Sequence, residues 1–184
     1  MILDYLVSIR KLTEALTLGQ FFDFQSLKRL ATSDDNIDSL LYMSTQSYQN
    51  MDEHLRNNQR SNLSALMVTG VWVESMYLLT QVAKEQPNDD FTSTIGEQKN
   101  ILNNLLPILR LWKDDQNFSN LITNLEELKD VLDVVKITVR VLDNVPETDD
   151  GTILQNEESI VTVSKDELME IITTTEKIRN KIIN

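Results

Sequence analysis

The chain has 184 residues with no cysteine and a single histidine, which excludes disulfides, thiolate nucleophiles and metal sites built from several histidines. Its 29 acidic and 17 basic residues give a formal net charge of -12, which repels a phosphate backbone, so we expect no nucleic-acid partner. The small number of glycines and prolines favours long helices with short connections. No uninterrupted run of about 18 apolar residues occurs, so we expect no membrane-spanning segment.

The N-terminal third of the sequence predicts three helices. Leucine and isoleucine recur at helical spacing in residues 2–17, and Gly19 is expected to end this helix. A short helix is predicted at residues 24–30. A polar cap near residue 33 then begins a long helix that runs to about Asn58.

Residues 61–86 predict a long helix that is apolar on nearly every side, and we expect the rest of the chain to be organised around it. Its apolar side chains do not collect on one stripe, so the pattern predicts neighbours around most of the helix. Gly70 lies in its middle at a cost of about 1 kcal/mol relative to alanine, which indicates a close approach by another helix or a ring. The apolar residues concerned are Leu63, Leu66, Met67, Val71, Val73, Met76, Leu78, Leu79 and Val82.

Capping boxes and turn residues divide the second half of the chain. Residues 87–90 break the chain, and a capping box at residues 94–97 predicts the start of the next helix. Leucine and valine at alternating steps of four and three predict a helix at residues 119–144. Residues 151–163 predict a small β-hairpin, and a second capping box at residues 164–167 begins the last helix.

These elements predict one fold class and one domain. We expect an all-α, antiparallel helical bundle of about six to seven helices, with a small β-hairpin before the last helix. A single helical-bundle domain is expected to cover residues 1–184, with the hairpin as an insertion at about residues 151–163. Since a fold of this kind does not specify a reaction, function has to be argued from individual side chains.

Glu74 is the main candidate for a functional side chain, because it lies in an otherwise apolar helix one turn from Gly70 and close to Trp72 and Tyr77. Such a carboxyl could act as a general acid or anchor a ligand. The structural alternative is that Glu74 pairs with an arginine or lysine, or bonds to a buried hydroxyl, and so holds helices in register. Trp72 and Tyr77 could line a groove for an apolar ligand or a partner helix. The candidate ligand-binding or partner-binding residues are therefore Trp72, Glu74 and Tyr77.

The lone histidine, His54, could be the acceptor of a phosphotransfer-like signalling bundle. A di-metal bundle is excluded, because Met51 stands where such a site needs a glutamate and because no second histidine exists. We therefore predict no metal and no cofactor. The sequence after His54 offers only part of the basic residue and the small gap that a phosphotransfer module requires. A solvated histidine near a helix end is the structural alternative.

Residues 60–66 (RSNLSAL) and 70–77 (GVWVESMY) resemble a family of uncharacterised predicted lipoproteins of Bacteroidetes, whose members carry a similar G-x-W-hydrophobic-E-small-x-Y segment in a central helix. The similarity extends to residues 38–40, to Gln98-Lys99 and to Ile178-Arg179 in the last helix. The resemblance implies an all-α bundle on the periplasm-facing side of the cell envelope. It implies membrane attachment only through a lipid anchor that is absent from this chain, and it implies no known reaction.

These observations predict a non-enzymatic cell-envelope module for binding or assembly, as the mature part of a lipoprotein. Its partner would be a protein or a small apolar ligand. The alternative is a phosphotransfer-like signalling bundle with His54 as the acceptor. A carboxylate-dependent enzyme is a third possibility, and it requires a second acid near Glu74 in an open cleft.

Overall fold

The computed structural model describes residues 2–31, 37–141 and 157–183, which form seven α-helices, two short 3-10 helices (Gly19–Phe21 and Arg110–Trp112) and one β-hairpin. The helices are α1 (Ile2–Ala15), α2 (Phe24–Ala31), α3 (Ile37–Asn57), α4 (Ser61–Glu85), α5 (Asp89–Leu109), α6 (Gln116–Asp133) and α7 (Lys165–Ile183). The strands β1 (Lys136–Val141) and β2 (Glu157–Thr162) lie between α6 and α7. The predicted class, an all-α bundle with a small antiparallel β-hairpin before the last helix, is confirmed.

The chain divides into two compact units, Met1–Ser64 and Ala65–Asn184, so that the boundary falls in the first turn of α4. The prediction of a single domain covering residues 1–184 stays a prediction. Each unit has its own buried residues.

In the first unit, α1 and α3 both end at a non-glycine residue with a left-handed backbone. Thr17 has a φ of 62° and Gln59 a φ of 59°. At the first of these ends, the backbone N–H of Leu18 donates to the carbonyl of Thr13 at 2.7 Å. The prediction that Gly19 ends α1 is therefore wrong, because Thr17 takes the conformation that glycine usually supplies. The predicted cap near residue 33 lies outside the described residues.

The first unit is held together by a small apolar centre and by one long arginine contact. Leu18, Met51 and Leu55 are buried. Arg60 donates from Nη1 to the backbone carbonyl of Leu16 at 2.9 Å, which ties the end of α1 to the connection that follows α3. A guanidinium can satisfy such a carbonyl at a helix C-terminus, where the intrahelical partner is missing.

In the second unit, α5, α6 and α7 supply most of the buried core, and α4 adds one face. The core includes Trp72, Val73 and Met76 of α4, together with Ile95, Leu102, Leu105, Leu106, Leu109, Phe118, Ile122, Leu125, Leu128, Leu132, Val135, Ile171 and Ile178. Burial of these leucine and isoleucine side chains is the main source of stability in this unit.

Helices α5, α6 and α7 of this unit all begin at side-chain caps, and those of α5 and α7 test the predicted capping boxes. Asn88 accepts a hydrogen bond from the backbone N–H of Phe91 at 2.7 Å, so α5 begins at Asp89 rather than at the predicted box at residues 94–97. At the predicted box of α7, the backbone N–H of Ser164 donates to Glu167 Oε2 at 2.6 Å, and the N–H of Glu167 donates to Ser164 Oγ at 3.3 Å. The second capping box is confirmed, and the first is wrong because Asn88 caps the helix six residues earlier.

The hairpin begins earlier in the sequence than predicted. Helix α6 ends at Asp133, and residues 136–141, which were predicted to be helical, form β1. Strand β1 pairs antiparallel with β2, with Lys136 opposite Thr162 and Val141 opposite Glu157. The alternation of Ile137, Val139 and Val141 with polar residues favours a strand, and it outweighs the four-and-three spacing in which Val139 also takes part. The part of the predicted hairpin at residues 151–156 lies outside the described residues.

Lys99 of α5 marks the point where helix gives way to strand. Its ammonium donates to the backbone carbonyl of Asp133 at 2.9 Å and to that of Val135 at 3.0 Å. Asp133 is the last residue of α6, so its carbonyl has no intrahelical donor, and Val135 lies between α6 and β1. The ammonium of Lys99 therefore stabilises both the end of α6 and the start of β1.

The close approach that was expected at Gly70 occurs instead at Gly96. A methyl group added at Gly70 would meet nothing within 4 Å. A methyl group added at Gly96 would collide with Val161 and would lie 3.0 Å from Val135. The prediction for Gly70 is therefore wrong, and Gly96 is the position at which the hairpin and α5 need a residue without a side chain.

Helix α4 is not enclosed on all sides, which corrects a second expectation about it. Trp72, Val73 and Met76 are buried, whereas Val71 is 42% exposed and Leu79 is only partly buried. The exposed apolar residues of α4 are Val68, Val71, Leu78 and Val82. A helix that is apolar on every side can be buried on any face, and the neighbouring helices determine which of its faces are covered.

Among the described helices, α4 is also long and apolar enough to cross a membrane, judged by length and composition only. Its most apolar window has a mean hydropathy of 1.4 and is 39% buried. Core helices of water-soluble proteins pass the same test.

Candidate functional site

The predicted site residues lie on two different sides of α4. Glu74 and Tyr77 are three residues apart and so share a face, whereas Trp72 points to another neighbour. Arg179 of α7 contacts both Glu74 and Tyr77, and Gln98 of α5 contacts Trp72. The structure therefore brings Glu74 and Tyr77 together and separates Trp72 from them.

Glu74 is paired with Arg179 by two parallel hydrogen bonds. Arg179 donates from Nε to Glu74 Oε2 at 3.0 Å and from Nη2 to Glu74 Oε1 at 3.1 Å. The guanidinium carbon also lies 4.6 Å from the centre of the Tyr77 ring, in the geometry of a cation–π contact. The structural alternative for Glu74, an arginine or lysine that pairs with it across two helices, is confirmed.

The Glu74–Arg179 pair is partly open to solvent, which limits its contribution to stability. The side chain of Glu74 is 45% exposed and that of Arg179 is 21% exposed. A bidentate arginine–carboxylate pair in such a position contributes about 1 kcal/mol, because water and salt screen the attraction. A pair of this kind fixes the orientation of α7 against α4 more than it stabilises the fold.

The pair lies at the edge of an apolar groove whose floor includes Gly70. The groove has a volume of about 260 Å³. Its lining comes from α4, α6 and α7, and consists of Leu66, Thr69, Gly70, Val73, Glu74, Leu121, Arg179, Ile182 and Ile183. Because Gly70 has no side chain and nothing lies above it, the groove is open at this point. We call it the Gly70 groove.

Ile182 is exposed and forms part of the wall of the Gly70 groove, next to Ile183. Thr69, another lining residue, donates from Oγ1 to the carbonyl of Ala65 at 2.7 Å and so presents its methyl group without an unpaired donor. The groove is therefore an apolar surface with one ionic pair at its edge.

Trp72 is a core residue. It is 8% exposed, and its indole Nε1 donates to Gln98 Oε1 at 3.0 Å. Gln98 in turn donates from Nε2 to the carbonyl of Thr94 at 3.1 Å. A buried indole needs such a partner, so Trp72 holds α4 against α5 and does not line the Gly70 groove.

Two charged clusters fix the other contacts of α7. Lys84 and Gln81 of α4 both donate to Glu176 Oε1 at 2.8 Å, and the hydrogen bond from Lys84 is the main reason that the pKa of Glu176 is lowered. Lys177 and Lys181 bind Glu127 of α6, and they lower the pKa of Glu127 in the same way. These contacts orient the helix that carries Arg179.

Arg179 is the residue that sequence reasoning missed. A carboxylate on an apolar helix needs a cationic partner, and the sequence offered several. Arg179 directly follows the buried Ile178, so it lies at the edge of the buried face of α7, where a long side chain can reach a neighbouring helix. Its position next to Ile178 was therefore the sequence feature that could have identified Arg179 as the partner of Glu74.

His54 lies in the first unit and is partly buried. Its ring centre is 4.9 Å from that of Phe21, and Asn58 Nδ2 lies 3.4 Å from its Nδ1. The nearest cation on the same helix, Arg56, pairs with Asp52 at 3.5 Å. The phosphotransfer alternative stays a prediction. Among the described residues, no three His, Asp or Glu side chains are grouped so that they could hold a metal ion.

Comparisons with protein-family models, with curated proteins and with solved structures found no match to this chain. The resemblance to predicted lipoproteins therefore rests on the residues quoted above and stays a prediction.

Proposed function

We propose that the protein is a non-enzymatic binding module of the cell envelope and that the Gly70 groove receives the apolar part of its ligand. The observation that carries this proposal is the open floor at Gly70 between walls that include Leu66, Leu121 and Ile182. Apolar surface in a concave site is removed from water when an apolar group binds there, and this favours binding.

The acid at the groove supports a binding role rather than catalysis. Among the described residues that line the groove, Glu74 is the only acid, and both its oxygens accept hydrogen bonds from Arg179. Hydrolysis by paired carboxyl groups needs a second acid close by. A lone carboxylate that is already paired favours recognition of a polar group.

The location of the module is proposed from the resemblance alone. The segment at residues 70–77, which resembles that of the predicted envelope lipoproteins, also supplies Gly70 and Glu74 to the groove. We therefore propose a periplasm-facing position, with a protein or a small apolar molecule as the partner. The net charge of -12 supports the absence of a nucleic-acid partner.

Titration with the neutral dye N-phenyl-1-naphthylamine, whose fluorescence rises in an apolar site, tests the proposal. The unmodified protein is expected to bind the dye. Gly70→Leu should bind it at least about tenfold more weakly, because a leucine at this position fills part of the groove. The matched control is Ser75→Leu, which adds the same side chain at an exposed position of α4 outside the groove and should bind normally.

Equal binding by the unmodified protein and by a folded Gly70→Leu variant would refute the groove as the binding site. Circular dichroism establishes that the variants are folded. Methyl nuclear Overhauser contacts between the dye and Ile182 or Ile183 provide a second, direct measurement. Turnover of an ester, glycoside or phosphoester that Glu74→Gln abolishes would replace the binding role with a catalytic one.

A further inference from the structure

We infer that the Gly70 groove selects an uncharged amphiphile, an alkyl chain that ends in a hydroxyl-type group. The inference rests on the proposed function and adds the chemical class of the ligand. It follows from the size of the groove, from its apolar walls and from the state of the two charges at its edge.

The volume sets the length of the apolar part. The groove measures about 260 Å³. A cavity of about 150 Å³ binds benzene, so by proportion the groove has room for about ten carbon atoms. The walls from Leu66, Val73 and Leu121 are aliphatic, which suits an alkyl chain that can follow an irregular surface.

The edge of the groove offers Glu74 as a hydrogen-bond acceptor, and Arg179 balances its charge. Arg179 donates to both oxygens of Glu74, so the two charges already neutralise each other. A carboxylate can accept about four hydrogen bonds, and those from Arg179 account for two of them. Since the side chain of Glu74 is 45% exposed, a hydroxyl at the end of a bound chain can donate to it.

A charged end group is disfavoured in either sign. An end group at this edge lies beside both charges, so a carboxylate meets Glu74 as well as Arg179, and an ammonium meets Arg179 as well as Glu74. Each would lose hydration, and the opposite charge that could compensate is already engaged in the pair. A hydroxyl loses much less on leaving water and gains a hydrogen bond to an ionised acceptor.

Titration of the full chain with 1-octanol, octanoate and octylammonium, followed by amide NMR shifts, tests this selection because the three probes share one chain length. 1-Octanol is expected to bind about tenfold more tightly than either charged probe. 1-Hexanol should bind about fifteenfold more weakly than 1-octanol, since each methylene contributes about a factor of four. These shifts should lie around Gly70 and disappear in Gly70→Leu.

The outcomes distinguish a failure of the inference about the end group from a failure of the proposed binding function. If no octyl probe shifts the amides around Gly70, the proposed function fails and the inference fails with it. If all three probes bind equally and Gly70→Leu abolishes their binding, the binding function stands and the inference about the end group is overturned.

A shift of the preference is the sharper test. Glu74→Gln removes the negative charge that disfavours a carboxylate at the edge, so octanoate should gain affinity relative to 1-octanol and to octylammonium. Glu170→Gln removes the same charge from an exposed position of α7 outside the groove and should leave the relative affinities unchanged. Unchanged relative affinities in a folded Glu74→Gln variant would overturn the inference.

Discussion

The same substitution at two helical glycines should change stability in opposite directions. Gly70 and Gly96 lie inside α4 and α5, and both belong to the second unit. Replacing glycine by alanine within a helix favours folding by about 1 kcal/mol, because the unfolded chain loses conformational freedom. The surroundings of the added methyl group then determine the net effect.

The structure gives the two surroundings. At Gly70 the methyl group meets nothing within 4 Å, so Gly70→Ala should stabilise the second unit by about 1 kcal/mol. At Gly96 it collides with Val161 and approaches Val135 to 3.0 Å. Valine side chains are stiff, and overpacking of this kind costs about 1–3 kcal/mol. Gly96→Ala should therefore destabilise the unit by about 1 kcal/mol net.

Urea unfolding followed by tryptophan fluorescence measures this contrast. Both tryptophans, Trp72 and Trp112, lie in the second unit, so the signal reports on the unit that contains both glycines. A difference of about 2 kcal/mol between the variants corresponds to roughly 1 M urea in the midpoint, with an unchanged slope. A Gly96→Ala variant as stable as Gly70→Ala would refute the assignment of the close contact to Gly96.

Three further predictions concern side chains that tie helices together. Lys99→Met removes the hydrogen bonds to the carbonyls of Asp133 and Val135 and should lower the free energy of unfolding by about 1–2 kcal/mol. Hydrogen exchange in β1 should become faster, and unchanged exchange would contradict the capping role. The pKa of Glu176 is lowered in the folded state, so its contribution is present above its unfolded pKa of about 4.3 and is lost as the pH falls through the folded value. The melting temperature of Glu176→Gln should therefore fall less between pH 5 and pH 3 than that of the unmodified protein, and an equal fall would count against this linkage. Trp72→Phe removes the hydrogen bond to Gln98 and should lower the free energy of unfolding, measured by circular dichroism, by about 1 kcal/mol. The affinity of this variant for the dye at the Gly70 groove should be unchanged. A loss of affinity would show that Trp72 contributes to the binding site.

Local sequence patterns predicted correctly those features that depend on contacts between residues close in the chain. The capping box of Ser164 and Glu167 forms as predicted, because both of its hydrogen bonds join residues three positions apart. The hairpin was predicted, but its first strand was assigned to helix α6. Residues 136–141 pair with residues more than 15 positions later, and such pairing leaves only a weak local trace.

The candidate site was predicted in kind but not in detail. A cationic partner was one of the readings of Glu74 that the sequence left open, and the choice of Arg179 depends on the orientation of α7. The role expected of Gly70 belongs to Gly96, because the sequence shows where a side chain is absent but does not show what fills the space. In the same way, the apolar composition of α4 did not reveal that Val71 faces water.

The open position at Gly70 has a consequence for how a binding protein of this kind can change. A single base change converts a glycine codon to one for alanine or valine, and each added methyl group would shorten the space for a bound chain. Since an added Cβ would meet nothing within 4 Å, the change to alanine would carry no packing penalty. Preference for a shorter or longer ligand could thus shift through one inherited substitution, while the surrounding helices stay as they are.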